Sequence, residues 1–122
     1  MGTYSGGHSV VLSGDDQQDG VRPSEMLLVA LASCSAVDVV DIMKKKRKPL
    51  TRLEVVITGD RDPDPPWPYR TIQVVYHAQG RGLTDKALSQ AIQLSTEKYC
   101  SVAATVSGVA DIQTRYEILP DA

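Results

Sequence analysis

The chain has 122 residues, 42% of them apolar, and a formal net charge of −2, which describes one domain with a real core that is small enough to gain from oligomerisation. That charge leaves no electrostatic footprint for nucleic acid, since the single basic run, Lys44 to Lys48, is short and follows an apolar segment. Two histidines, His8 and His77, and two cysteines without a CxxC spacing make no zinc set, so neither metal nor cofactor is expected. The opening MGTYSGGHSV lacks the charged start and apolar stretch of a signal peptide. No run of roughly 18 to 20 consecutive apolar residues occurs, so a cytoplasmic protein without a membrane span is expected.

In chain order, HSVVLS (residues 8 to 13) reads as a short strand, and the polar stretch from Gly14 to Gly20 reads as a loop. Pro23 to Arg47 is a long helical candidate. Ser24 is placed to cap it, Glu25 sits near its positive end, and Lys44 to Arg47 sit near its negative end. Its residues Met26, Leu27, Leu28, Val29, Leu31, Val37, Val39, Val40, Ile42 and Met43 leave almost no polar face, the pattern of a buried helix that something must surround. Pro49 ends it. LTRLEVVITGD alternates as a half-buried strand, the proline-rich DRDPDPPWPYR is a loop, and TIQVVYHAQG resumes an extended pattern, so the two strands should pair antiparallel. Thr84 caps a second, amphipathic helix with Leu88, Ala91, Ile92 and Tyr99 on its inner face. SVAATVSG is a short helical connector, and VADIQTRYEIL is the last strand. So few elements cannot wrap a 25-residue helix on all sides, and a second copy of the chain is the expected wrapper.

Cys34 lies mid-way along the first helix and Cys100 at the C-terminal end of the second. Either can be a small apolar core residue, the common fate of free cysteine, or the two can form a redox pair if their Cα atoms lie within roughly 7 Å. A mid-helix thiol gets little help from the helix dipole and needs a cation; Arg22 and Arg61 are the candidates, each with an ordinary reading as a solvated surface charge. Should Cys100 open the short helical turn, it would gain dipole help that Cys34 lacks, and the roles would reverse. Glu25 also reads as a favourable first-turn charge. His77 reads as a half-exposed strand residue, and Asp38 and Asp41 either face solvent or mark an interface.

RPSEMLLVALASCSAVDVVDIMKKKRKPL resembles the first-cysteine helix of OsmC-like proteins, AIQLSTEKYCSVAATV resembles their second-cysteine segment, and SGGHSVVLSG resembles their N-terminal strand. The 66-residue offset between Cys34 and Cys100 fits that family's layout. The resemblance implies a single α+β domain over residues 1–122, paired in an intertwined homodimer. It also implies a thiol-dependent reduction of organic hydroperoxides: Cys34 becomes a sulfenic acid, Cys100 resolves it, and a cellular dithiol restores the pair. Glu25 would orient the site, and Arg22 or Arg61 would hold the thiolate. Two features depart from the family's peroxidases, which place a glutamate ten residues before the first cysteine, where this chain has Ser24, and use an arginine earlier than any in this chain. The alternative is a redox-responsive or small-molecule-binding dimer without efficient turnover, because a shared fold does not guarantee shared chemistry.

Overall fold

The computed structural model describes residues 2–3, 9–10 and 22–120. Two short strands, β1 (Gly2–Thr3) and β2 (Ser9–Val10), pair antiparallel. Apart from Ser9 and Val10, the expected first strand and its loop lie outside the described residues. Helix α1 (Pro23–Lys45) follows, then β3 (Arg52–Arg61) and β4 (Tyr69–Gln79). Helix α2 (Asp85–Leu94) runs through a π-helical turn (Ser95–Tyr99) into α3 (Ser101–Val106), and β5 (Asp111–Ile118) closes the order. The fold is α+β.

β3 and β4 pair antiparallel, and β5 pairs with β4 in parallel, giving the order β3-β4-β5. Strand alternation sends Ile72, Val74, Tyr76 and Ala78 of β4 to the inner face, flanked by Leu53, Val55 and Ile57 of β3 and by Ile112, Tyr116 and Ile118 of β5. Against that face α1 lays Leu28, Leu31, Ser35, Val39 and Met43, a stripe at three- and four-residue spacing, and α2 adds Ala87, Leu88, Ala91 and Ile92. His77, expected as a half-exposed strand residue, is on the outer face, where its Nδ1 lies 3.3 Å from Glu117 Oε2.

The cap of α1 differs from the expectation. Arg22, not Ser24, is the N-cap, because Pro23 has a fixed φ and no N–H and so suits the first helical position. The Arg22 N–H donates to Glu25 Oε1 at 3.2 Å. Thr84 caps α2 as expected, its Oγ1 accepting from the Ala87 N–H at 3.2 Å.

The opposite face of α1 carries Val29, Ala30, Ser33 and Val37, all exposed, with Val37 at 61%. The same helix is, by length and composition, apolar enough to cross a membrane; in this fold its other face packs into the domain core. The described residues thus cover only one side of a helix that is apolar nearly all round.

Candidate active site around Cys34 and Cys100

The π-helical turn decides where Cys100 points. In an unbroken α-helix, Tyr99 would follow Ile92 and Ser95 on the inner stripe and Cys100 would rotate away. Here the Cys100 N–H donates to the Ser95 carbonyl five residues back at 2.7 Å, and the extra residue carries Cys100 inward in place of Tyr99. Cys100 is 2% exposed and Tyr99 53%, which corrects the inner-face position expected for Tyr99. Cys100 then sits as the N-cap of α3, its Sγ accepting from the Ala103 N–H at 3.3 Å.

Opposite it, Cys34 projects half-buried from the middle of α1. Both cysteines are free thiols. The Cys34 sulfur, the Cys100 sulfur and a carboxylate oxygen of Asp38 all lie within 4.8 Å of one another. Burial first, and then the Cys34 sulfur beside it, push the Cys100 thiol up to about 11, against a smaller opposing pull from the Ala103 N–H. Desolvation thus outweighs the help that the start of α3 gives this thiol. Cys100 therefore keeps its proton at neutral pH, and Cys34 is the more exposed of the two sulfurs.

A buried polar chain backs the pair. Tyr76 Oη and Ser35 Oγ are 2.5 Å apart, the Ser95 hydroxyl lies 3.0 Å from Ser35 Oγ, and it lies 3.1 Å from Asp38 Oδ2. Burial, opposed by the Ser35 contact, raises the Tyr76 hydroxyl above its ordinary value, so it stays protonated. Sequence reasoning left the role of Asp38 open and missed Ser35, Ser95 and Tyr76. Asp41 is exposed. The signal available was Ser35 and Asp38, three residues apart in a largely apolar helix, because a buried polar group needs a partner.

The remaining expected site residues gather elsewhere. Arg22 and Glu25 meet at the start of α1, and Arg61 Nη1 donates to Ser24 Oγ at 3.2 Å while its guanidinium lies 6.0 Å from both the Trp67 and the Tyr69 ring centres. Tyr69 Oη donates to the Ser24 carbonyl at 2.9 Å. Nine residues of helix separate Glu25 from Cys34, about 13 Å at 1.5 Å per residue. Within one chain the thiols and the Arg22–Glu25–Arg61 group are two separate clusters.

Beside the rings that face Arg61 lies an apolar groove of about 320 Å³ lined by Leu27, Trp67, Tyr69, Val106, Val109 and Ala110 among others, and neither cysteine lines it. Leu27 precedes Cys34 by seven residues and shares its helical stripe, and Val106 ends the short helix that Cys100 opens. A larger recess of about 990 Å³, between α2, α3 and β5, includes neither cysteine.

The family description "OsmC-like protein" matches residues 14–115 of this chain. The chain belongs to the OsmC-like family. Protein YhfA of Escherichia coli is 35% identical over 119 residues, covering 98% of this chain and 89% of that protein. The crystal structure of a hypothetical protein from Aquifex aeolicus is 40% identical, with a TM-score of 0.78 over 84% of this chain and 76% of the other. The organic hydroperoxide resistance protein OhrB of Bacillus subtilis shares the OsmC-like fold at 16% identity, with a TM-score of 0.60 over 82% of this chain and 73% of the other.

Proposed function

We propose that this OsmC-like protein is a cytoplasmic homodimer that reduces organic hydroperoxides through Cys34 and Cys100. The observation that carries this reading is the approach of the two sulfurs to within 4.8 Å, made by an irregular turn that a purely structural cysteine would not require. The Cys34 thiolate attacks the O–O bond of the hydroperoxide and becomes a sulfenic acid, and the departing alkoxide takes a proton to leave as an alcohol. The Cys100 thiol then displaces water from the sulfenic acid, giving a disulfide, and an external dithiol reopens it while being oxidised to its own disulfide. The apolar groove that begins two turns from Cys34 suits an organic tail over hydrogen peroxide.

The exposed stripe of α1 supports the dimer, since burying Val29, Ala30 and Val37 against a second copy completes the coverage that the described residues of one chain lack. In this reading the Arg22, Glu25 and Arg61 cluster reaches a thiol of the partner chain, orienting it and holding its charge. Free thiols suit a reducing compartment, hence the cytoplasm. One observation favours the second reading, a redox-responsive or ligand-binding dimer without efficient turnover: the candidate activating arginines stand at the first turn of α1, whereas the thiol of their own chain is at its middle.

Steady-state consumption of cumene hydroperoxide with a dithiol reductant tests the proposal. Turnover is expected in the wild type, none in Cys34→Ser, and a trapped Cys34 sulfenic acid, read by dimedone labelling and mass spectrometry, in Cys100→Ser. Absence of turnover with intact thiols would leave the sensing or binding dimer as the surviving reading.

A further inference from the structure

We infer that the reduced site is also a zinc site, in which Cys34 Sγ, Cys100 Sγ and the Asp38 carboxylate hold the ion and a fourth position stays open. The three ligand atoms come from two packed elements, α1 and the junction between the π-helical turn and α3, and lie within 4.8 Å of one another. Two thiolates bound to one tetrahedral zinc at about 2.3 Å each are about 3.8 Å apart. The two sulfurs therefore need to close by no more than about 1 Å to share an ion. Two sulfurs and one carboxylate form a donor set for a borderline-soft cation such as zinc, not for magnesium or calcium, which take all-oxygen shells.

Asp38 is also held as a ligand should be. Its Oδ2 accepts from the Ser95 hydroxyl at 3.1 Å, and Ser95 in turn contacts Ser35, which contacts Tyr76. Hydrogen bonds of this outer kind fix the direction of a metal-binding carboxylate. Cys34 and Asp38 are four residues apart on one helix, so they share a face, and both are half-buried, which leaves a path from solvent.

Bound zinc would occupy the sulfurs that the peroxidase reading uses, and so would regulate that same site. The inference shares those thiols but requires no turnover. Oxidation of the zinc form balances as two zinc-bound thiolates, one hydroperoxide and two protons giving a disulfide, an alcohol, water and free zinc. Zinc release would then report peroxide, whereas zinc excess would protect the thiols.

The test is titration of reduced, metal-free protein with zinc against a chromogenic chelator, with cadmium as a spectroscopic probe of thiolate ligation. One ion per chain is expected, with a cadmium–thiolate charge-transfer band. Affinity should fall about 100-fold or more in Cys34→Ser and about 10-fold or more in Asp38→Asn. Thermal melts of each variant, with and without zinc, separate lost binding from lost folding, since a folded variant that binds no ion shows no shift. Zinc binding unaffected by Asp38→Asn would overturn the three-ligand site, and binding that survives Cys34→Ser, or no binding by the wild type, would overturn the inference altogether. The same metal-free protein titrated with cumene hydroperoxide tests the peroxidase reading independently.

Discussion

Val37 offers the sharpest perturbation of the proposed dimer. It is 61% exposed on the uncovered face of α1, where in a lone chain Val37→Asp replaces an apolar surface residue with a polar one and costs little. In a dimer that buries this face the outcome differs. Fully burying a valine is worth about 1.5 to 3 kcal/mol, so covering the remaining three-fifths contributes about 1 to 2 kcal/mol per chain and about 2 to 4 kcal/mol per dimer. At 1.4 kcal/mol for each tenfold step, the substitution weakens association by roughly 30- to 1,000-fold, and burying two unpaired carboxylates adds to that. Sedimentation velocity over a concentration series reads the effect directly: wild type sedimenting as a dimer at low micromolar concentration, Val37→Asp as a folded monomer. A variant that dimerises as tightly as the wild type would refute the placement of this stripe at the interface, and a wild-type monomer would refute the dimer itself.

Other substitutions probe the site and its supports. Gly59→Ala places a Cβ 2.6 Å from the Tyr69 ring and 3.2 Å from Leu28 Cδ2; a loss of about 1 to 3 kcal/mol is expected in urea unfolding, and an unchanged midpoint would mean that Tyr69 does not pin the start of α1. Tyr76→Phe removes one buried hydrogen bond but leaves Ser35 its contact with Ser95, so a loss of about 1 kcal/mol is expected, and a loss near 3 kcal/mol would show that Ser35 is left unpaired. Cys100 gives a pH signature: its folded-state value stands near 11 against an ordinary 9.0, so between those values the folded chain keeps a proton that the unfolded chain has released. Its contribution to stability is complete below pH 9 and is lost as pH rises toward 11. Urea midpoints should accordingly fall more steeply over that window in the wild type than in Cys100→Ala, and equal slopes would contradict the raised value.

Much of this was legible in the sequence because the relevant signals are local and repetitive. The apolar run of α1, the alternation in β3 and β4, and the Thr84 cap each follow from periodicity or from one residue's hydrogen-bonding habit. Two cysteine-bearing segments also resembled the family that the chain proves to belong to. The misses share a different cause. Ser24 yielded the cap to Arg22 because a neighbouring proline outranked a side-chain preference. Tyr99 turned outward because a π-helical turn leaves no periodic trace, yet that single added residue is what aims Cys100 at Cys34. The Tyr76–Ser35–Ser95–Asp38 chain joins residues up to 60 positions apart, a coincidence of packing that pattern reading along the chain does not reach. The seating of Arg61 against Ser24 likewise appears only once α1 has a neighbour.

The most direct test of the two-cysteine centre is to add one equivalent of cumene hydroperoxide to fully reduced protein, count free thiols over seconds to minutes, and map the product by mass spectrometry without reductant. The expected result is loss of both thiols and one Cys34–Cys100 disulfide within a single chain, absent from Cys34→Ser and Cys100→Ser. Two thiols that persist for hours, or a disulfide formed only between chains, would contradict the central claim that these two sulfurs form one reactive pair.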